Sequence, residues 1–278
     1  MRQTRLQTWS MTVILGIWSL CVMYPLFWTV IASLKDNKQF LLGHPWALPN
    51  FPLLWENYSY VWQKYKFGNY FINSISVTTV STIAGVLLSA TTAYVIARFA
   101  FRGSNLLFLS YLAYKMIPAF LGIIPLFFLM NDLHLTNTLS GLMLIYAITA
   151  VPFGVFMLVG FFKTLPKELE EAAAIDGANH YGTFFRVMLP LAKPGLVSLA
   201  IVTVLNIWNE YIMALVFIST PGKYTLPVGI AVMQAEMQYR TEWGPLFAAL
   251  TIAMVPVLLF YFIFQRQITG GMTAGAVK

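Results

Sequence analysis

Residues 139–162 read LSGLMLIYAITAVPFGVFMLVGFF, twenty-four residues without one charged side chain. A bilayer core takes about 20 successive apolar residues per helix, so this stretch is long enough to cross it. Five more stretches have the same character: Met11 to Leu34, Phe71 to Ala97, Leu106 to Met130, Leu196 to Ile218 and Leu246 to Phe264. Of the 278 residues, 59% are apolar and 10% charged, whereas a soluble domain carries roughly a quarter charged residues. An outer-membrane barrel would show strands of about 10 residues alternating apolar and polar, and these runs are continuous. The expected fold is all-α, a polytopic membrane protein of six transmembrane helices.

Charge reports topology. The formal charge of +7 is spread between hydrophobic runs and not gathered in one patch, which speaks against nucleic acid as a partner. The amino terminus (Arg2, Arg5), the loop after the second span (Arg98, Arg102), the loop after the fourth and the tail together hold ten Lys and Arg; the opposite side holds six. The positive-inside rule then places both termini in the cytoplasm. The first apolar run is about twice a signal-peptide core and lacks an A-x-A-like site, so it is expected to stay as an anchor. Cys21, the single cysteine, lies inside it and leaves no intrachain disulfide to form.

Between the first two spans, Lys35 to Tyr70 is rich in Pro and aromatics, and Trp55, Tyr58, Val61, Trp62 and Tyr65 recur at helical spacing. The pattern predicts a short helix, suited to lying at the membrane surface or to docking a partner. The second span carries nine Ser or Thr from Ser74 to Thr92, a composition that favours contact between helices over contact with lipid. Pro118, Pro125, Pro152 and Pro256 fall inside spans and are expected to kink them. No repeat or linker divides the chain, so residues 1–278 are expected to form one transmembrane domain, with a cytoplasmic loop at 163–195 and a cytoplasmic tail at 265–278.

That loop reads KTLPKELEEAAAIDGANHYGTFFRVMLPLAKPG. It predicts two short helices. Pro166 suits a first turn, and Glu168, Glu170 and Glu171 complement the dipole at the amino end. Gly177 supplies a left-handed stop. Leu169, Ala172, Ala173 and Asp176 fall on one small, mildly apolar face. Such a pair can cap the bundle or receive another protein; composition alone leaves both open.

Spacing separates them. Glu171-Ala172-Ala173, three residues, Gly177, nine residues, Val187, one residue, and Leu189-Pro190 resemble the binding-protein-dependent ABC importer permeases, which carry Ile where this chain has Val187. Ile175-Asp-Gly-Ala178, Trp208-Asn-Glu210 and Gly271 through Lys278 are similar to the carbohydrate-uptake class, in particular its maltose-type second permease. The resemblance implies the type I importer permease fold and a chain that is not itself an enzyme. It makes Glu171, Ala172, Ala173, Asp176, Gly177 and Ala178 the coupling helix that docks on an ATPase, supported by Arg186, Leu189 and Pro190, with the tail pointing toward the ATPase pair. It also implies no cofactor on this chain, with ATP and magnesium held by an ATPase dimer. The further partners would be a second, homologous permease, an extracellular or periplasmic solute-binding protein and a sugar, in a bacterial or archaeal plasma membrane. The chain contains no G-x-x-x-x-G-K-[ST] phosphate loop, in keeping with that division of labour.

Two ionisable residues lie within spans. Lys115 falls about 18 Å along the third helix at 1.5 Å per residue, and Glu210 is the one acid inside a span. Each costs at least about 2.5 kcal/mol to insert, so each needs a partner or a cavity. They can pair with each other or with another subunit. Alternatively they line a translocation path with Tyr114, Asn206, Trp208 and Asn209, where amides suit hydroxyls, rings suit sugar faces, and Lys115 suits an acidic sugar or phosphorylated polyol.

An ion-coupled secondary carrier is the alternative within transport, but repeats with paired broken helices are not traced here. A membrane enzyme is the alternative outside it, yet His44, His134 and His180 fall in separate loops and no H-E-x-x-H or G-x-S-x-G pattern occurs.

Overall fold

A computed structural model describes the backbone of residues 5–44, 46–237 and 242–274, with side chains in these ranges except 5–8, 119 and 268–274. Among the described residues every regular element is helical, as the uninterrupted apolar runs require. In order they are α1 (Arg5–Ala32), α2 (Asn37–Leu42), α3 (Glu56–Lys64), α4 (Phe67–Arg98), α5 (Ser104–Met116), α6 (Ile123–Asp132), α7 (Leu139–Thr164) and α8 (Glu168–Ile175), followed by α9 (His180–Thr183), α10 (Leu189–Leu191), α11 (Lys193–Trp208), α12 (Ile212–Phe217), α13 (Leu226–Glu236) and α14 (Trp243–Ala274). Helix α14 continues past Phe264 into the expected tail, whose last residues, 275–278, lie outside the described residues.

Among the described residues four helices are long and apolar enough to cross a membrane outright; the count reaches six if two bent pairs are each one span. The expected third span is one such pair: α5 and α6 meet at 96°, joined by a 3-10 turn at Ala119–Gly122. Pro118 therefore does more than kink. It sits where α5 stops, and a proline disfavours helical backbone in the residue before it. Pro152 and Pro256, by contrast, are carried inside unbroken α7 and α14, and Pro125 falls in the first turn of α6, where no intrahelical bond is lost. The expected fifth span also departs from a single rod, because α11 ends at Trp208 and α12 starts only at Ile212.

The chain forms two compact units, residues 1–68 with 229–256, and 69–228 with 257–278. In the first, α3 confirms the short helix expected before the second span. Its aromatic stripe divides: Val61 is buried, whereas Trp55 and Trp62 face out. The Asn57 amide donates to the carbonyls of Ser33 (2.7 Å) and Lys35 (3.2 Å), tying α3 to the end of α1. Glu242, just ahead of α14, gathers the hydroxyls of Tyr60 (2.7 Å) and Tyr65 (3.2 Å) and the ammonium of Lys64 (3.2 Å). Trp28, Phe40 and Phe247 complete the joint, with Phe40 stacked on Phe247 at 5.3 Å.

Burial alone would push the Glu242 carboxyl up, but the hydrogen bonds from Tyr60, Lys64 and Tyr65 and the Lys64 charge outweigh it and hold the group below the usual range. The Lys64 ammonium is raised, chiefly by its hydrogen bond to Tyr60, and burial pushes Tyr65 up to about 12. A depressed carboxyl stabilises the fold fully above its unfolded value of 4.5 and loses that contribution as pH falls through the folded value. We therefore expect the melting midpoint of wild type to exceed that of Glu242→Gln by a constant margin at neutral pH, the margin to shrink once pH falls below 4.5, and to vanish only below the lowered folded value. A margin unchanged in acid would mean that charge at Glu242 does not hold this joint. On the alkaline side, the raised Lys64 and Tyr65 groups lose their contributions once pH passes their unfolded values of 10.5 and 10.0.

In the second unit the hydroxyl residues of α4 behave as their composition predicts. Ser74, Thr78, Ser81, Thr82 and Ser89 are all buried. Ser81 donates to the carbonyl of Met143 at 3.0 Å, and Gly85 lets the Ala147 carbonyl of α7 approach to within 3.1 Å of where a Cβ would stand. Small residues at this spacing bring two backbones close, which substitutes for the hydrophobic drive absent in lipid. The core that follows runs through Ala90, Ala93 and Tyr94 of α4, Val155, Leu158 and Phe162 of α7, and Phe184, Met188, Ala192 and Leu199.

Candidate functional site: the loop at 163–195 and the polar residues of the apolar helices

The loop at 163–195 is two short helices on a common base. Helix α8 begins after Lys167 with three acids in its first turn. It ends as expected: Gly177 takes φ 80°, its N–H bonds the carbonyl of Ala174 (3.1 Å), and that of Ala178 reaches back to Ala173 (2.9 Å). This is the paired closure that a left-handed glycine permits. Asn179 then caps α9 by accepting from Gly182 N–H at 2.8 Å.

Downstream the helix widens into a π turn at Phe184–Met188. Pro190 offers no N–H to the carbonyl of Arg186 four residues back, and a π turn absorbs such a gap. Phe184 and Met188 point into the core, where Phe184 meets Tyr94 with ring centroids 5.0 Å apart. The chain then bends by 74° between His180–Leu191 and Lys193–Trp208.

The face expected to dock divides as well. Ala173 is buried and Leu169 half-buried, while Glu171, Ala172, Asp176 and Gly177 are exposed. Ala178 and Arg186 line an open hollow of about 450 Å³ with Gly177, Asn179, Tyr181, Gly182 and Phe185. Tyr181 (78% exposed) and Phe185 (54%) stand out from its lining, and Ile175 (86%) is exposed at the end of α8. Leu189 is half-buried and Pro190 exposed. From sequence, Ile175 stands out only within the Ile175–Ala178 match, and nothing sets Tyr181 or Phe185 apart from their neighbours.

Lys115 and Glu210 are each satisfied on α7. Lys115 lies in the last turn of α5, where the helix dipole favours a cation, with its ammonium 5.7 Å from the centre of the Phe153 ring. The carboxylate of Glu210 accepts the Tyr146 hydroxyl and the N–H groups of Met213 (2.8 Å) and Ala214 (3.2 Å), so it caps α12. Tyr146 and Phe153 are seven residues apart on one helix, about 10 Å at 1.5 Å per residue. Among the described residues no ion pair joins Lys115 to Glu210. The three residues between α11 and α12 leave the helical ladder, which inside a membrane is tolerated only when lining a cavity or buried in protein. Asn206, Asn209, Tyr114 and Lys115 are exposed. Trp208, expected beside them, is instead buried and packs edge-on against Phe71 at 6.1 Å, so the helix core takes its ring. Tyr146, buried in α7, was not singled out from sequence, where nothing distinguishes it from other span aromatics.

Comparison with known proteins bears on the whole chain. The chain is 39% identical over 265 residues to the diacetylchitobiose uptake system permease protein NgcG of Streptomyces coelicolor, covering 95% of this chain and 87% of that one. It is 34% identical to the sulfoquinovosyl glycerol transport system permease protein SmoH of Agrobacterium fabrum, covering 92% and 89%. In fold it matches a chain of the crystal structure of a bacterial ABC transporter involved in the import of the acidic polysaccharide alginate, with a TM-score of 0.81, 23% identity and coverage of 96% and 98%. Residues 85–273 match the family described as binding-protein-dependent transport system inner membrane component, and with helices of this length, a helix pair closed by Gly177 and relatives along its full span, the chain belongs to that family of membrane-embedded transport permeases.

Proposed function

We propose that this chain forms one half of the membrane path of an ATP-driven importer for a sugar or oligosaccharide, with both termini in the cytoplasm. The observation that carries the proposal is the α8–α9 pair with the π turn that follows, which exposes Ile175 and sets exposed Tyr181 and Phe185 in the lining of an open hollow, while Ala173, Thr183, Phe184 and Met188 of the same segment are buried. Apolar side chains so placed on a water-facing loop, whose four Lys and Arg are balanced by four Asp and Glu, suit a protein partner. That partner is a cytoplasmic ATPase pair, which binds ATP with its magnesium and draws the loop inward as it closes. A second, homologous permease completes the path, and an external solute-binding protein delivers the cargo. The movement is a rigid-body switch between two packed states, and this chain transmits force without covalent chemistry.

Family membership and the sugar named for the related permeases support this cargo class. Asn206 and Asn209, exposed beside the helix break, supply amides for sugar hydroxyls, with Tyr114 and Lys115 on the second broken span. The test is uptake by proteoliposomes holding this chain with its partner permease, ATPase and binding protein. Uptake is expected to require internal ATP and the binding protein and to survive collapse of ion gradients; uptake that follows an ion gradient without ATP would identify a secondary carrier instead.

Lys115 bears on the charge of the cargo. With diacetylchitobiose as the neutral probe and sulfoquinovosyl glycerol as the anionic one, Lys115→Ala is expected to lower uptake of the anion about tenfold and leave the neutral sugar unchanged, the scale of one charge-assisted hydrogen bond. Equal uptake of the anion by both proteins would remove Lys115 from cargo selection.

A further inference from the structure

We infer that Arg98 is a positioning residue that locks the coupling helix α8 to the end of α4, so that displacement of the loop is passed to the second span. The inference rests on the coupling role proposed for α8. Sequence alone gives Arg98 one duty, as a positive charge at a cytoplasmic helix end. The structure gives it a buried one. Its side chain is 5% exposed, and Nη2 donates to the carbonyl of Leu165 at 2.7 Å and lies 3.5 Å from that of Pro166, in the linker between α7 and α8. Its Nε lies 3.5 Å from a carboxylate oxygen of Glu170, in the first turn of α8, and the Tyr94 hydroxyl stands beside the same carboxylate.

One guanidinium thus holds two parts of the loop at once. The planar fork matters, because Lys could keep the charge near Glu170 but could not reach the linker carbonyls in the same geometry. Glu170 immediately precedes the exposed Glu171, so a carboxylate facing inward and one facing outward share a single turn. The second attachment of the loop is apolar: Phe184 on Tyr94, and His180 edge-on to Phe99 at 5.3 Å. Both attachments end on the last turns of α4 and the residue that follows them. Rotation or translation of α8 therefore acts on α4 through a charged contact and a ring contact side by side. The apolar contact can seat the loop by itself; the ion pair adds a directional tie.

The test uses the whole reconstituted complex with Cys21 replaced, and spin labels at two exposed positions, Glu168 at the start of α8 and Phe101 beyond α4. In the parent complex the label separation is expected to stay the same with and without trapped ATP, as the two ends move together. In Arg98→Gln the ATPase still co-purifies and ATP is still hydrolysed, but the separation changes on ATP trapping and uptake per ATP falls about tenfold, within the range that mutations between coupled sites produce. Arg98→Lys is expected to fall between the two. Glu170→Gln, which leaves the hold on the Leu165 carbonyl but removes the charge partner on α8, is expected to change the label separation on ATP trapping with the ATPase still bound, a readout that a merely structural role would not move. If Arg98→Gln keeps both a fixed separation and normal uptake per ATP, or if Glu170→Gln keeps a fixed separation while the complex remains assembled, the inference is overturned. Failure of the parent complex to couple ATP to uptake would instead count against the proposed function itself, before any variant is compared.

Discussion

Gly177→Asp is expected to abolish ATP-coupled uptake while leaving the chain folded and inserted. The backbone at Gly177 has φ 80°, and a side chain placed there meets no atom within 4 Å, so the substitution creates no clash. The left-handed conformation costs an ordinary residue about 1–2 kcal/mol, and Asp is among those that tolerate it best. The Schellman closure of α8 uses backbone N–H groups of Gly177 and Ala178, which the variant keeps. Stability should therefore change little.

Docking should change a great deal. The new carboxylate would stand at the rim of the hollow beside Asp176, among the exposed Ile175, Tyr181 and Phe185. A contact that buries this surface would desolvate an unpaired charge, at a cost of about 3–5 kcal/mol. That is enough to lower affinity at least a hundredfold. The measurement is co-purification of the ATPase, stimulated ATP hydrolysis and uptake, with Gly177→Asn as the uncharged control of similar shape. Loss of all three in Asp, with partial retention in Asn, identifies the loop as the coupling element. Normal coupled uptake by the Asp variant would remove the loop from that role.

Glu210→Ala should be the most damaging change for the stability of the span region. It removes the cap from α12, worth about 0.5–2 kcal/mol. It also leaves the buried Tyr146 hydroxyl without its acceptor, worth about 1–3 kcal/mol. The expected loss is roughly 2–4 kcal/mol, seen as a lowered melting midpoint in detergent and confirmed by a cycle with Tyr146→Phe, in which the second change costs little once the first is made. Glu210→Gln keeps an acceptor for Met213 and Ala214 and should retain most stability. If Gln instead leaves stability intact but alters which sugar is carried, Glu210 faces cargo as well as capping the helix.

These two residues also mark where sequence stops informing. Gly177 was legible because its function is local: glycine after a short amphipathic run, at fixed distances from Glu171 and Pro190, predicts a left-handed stop whatever surrounds it. Glu210 was visible as an anomaly, an acid in an apolar run, but its partner lies 64 residues away on α7. Nothing in the spacing points to Tyr146, and the guess of a partner in Lys115 followed charge where the structure follows capping.

The all-α membrane fold, the hydroxyl stripe of α4 and the end of α8 were written in the sequence, because each depends on burying a run of like residues or on the backbone freedom of one glycine. Helix continuity was not. The same residue type breaks the third span at Pro118 and passes inside α7 at Pro152, since the outcome depends on whether neighbouring helices supply the lost contacts. The sequence likewise showed Arg98 as a charge on one side of a membrane, whereas its hold on Leu165 and Glu170 arises from packing α4 against the loop after α7, a juxtaposition of residues far apart in the chain that only tertiary structure brings about.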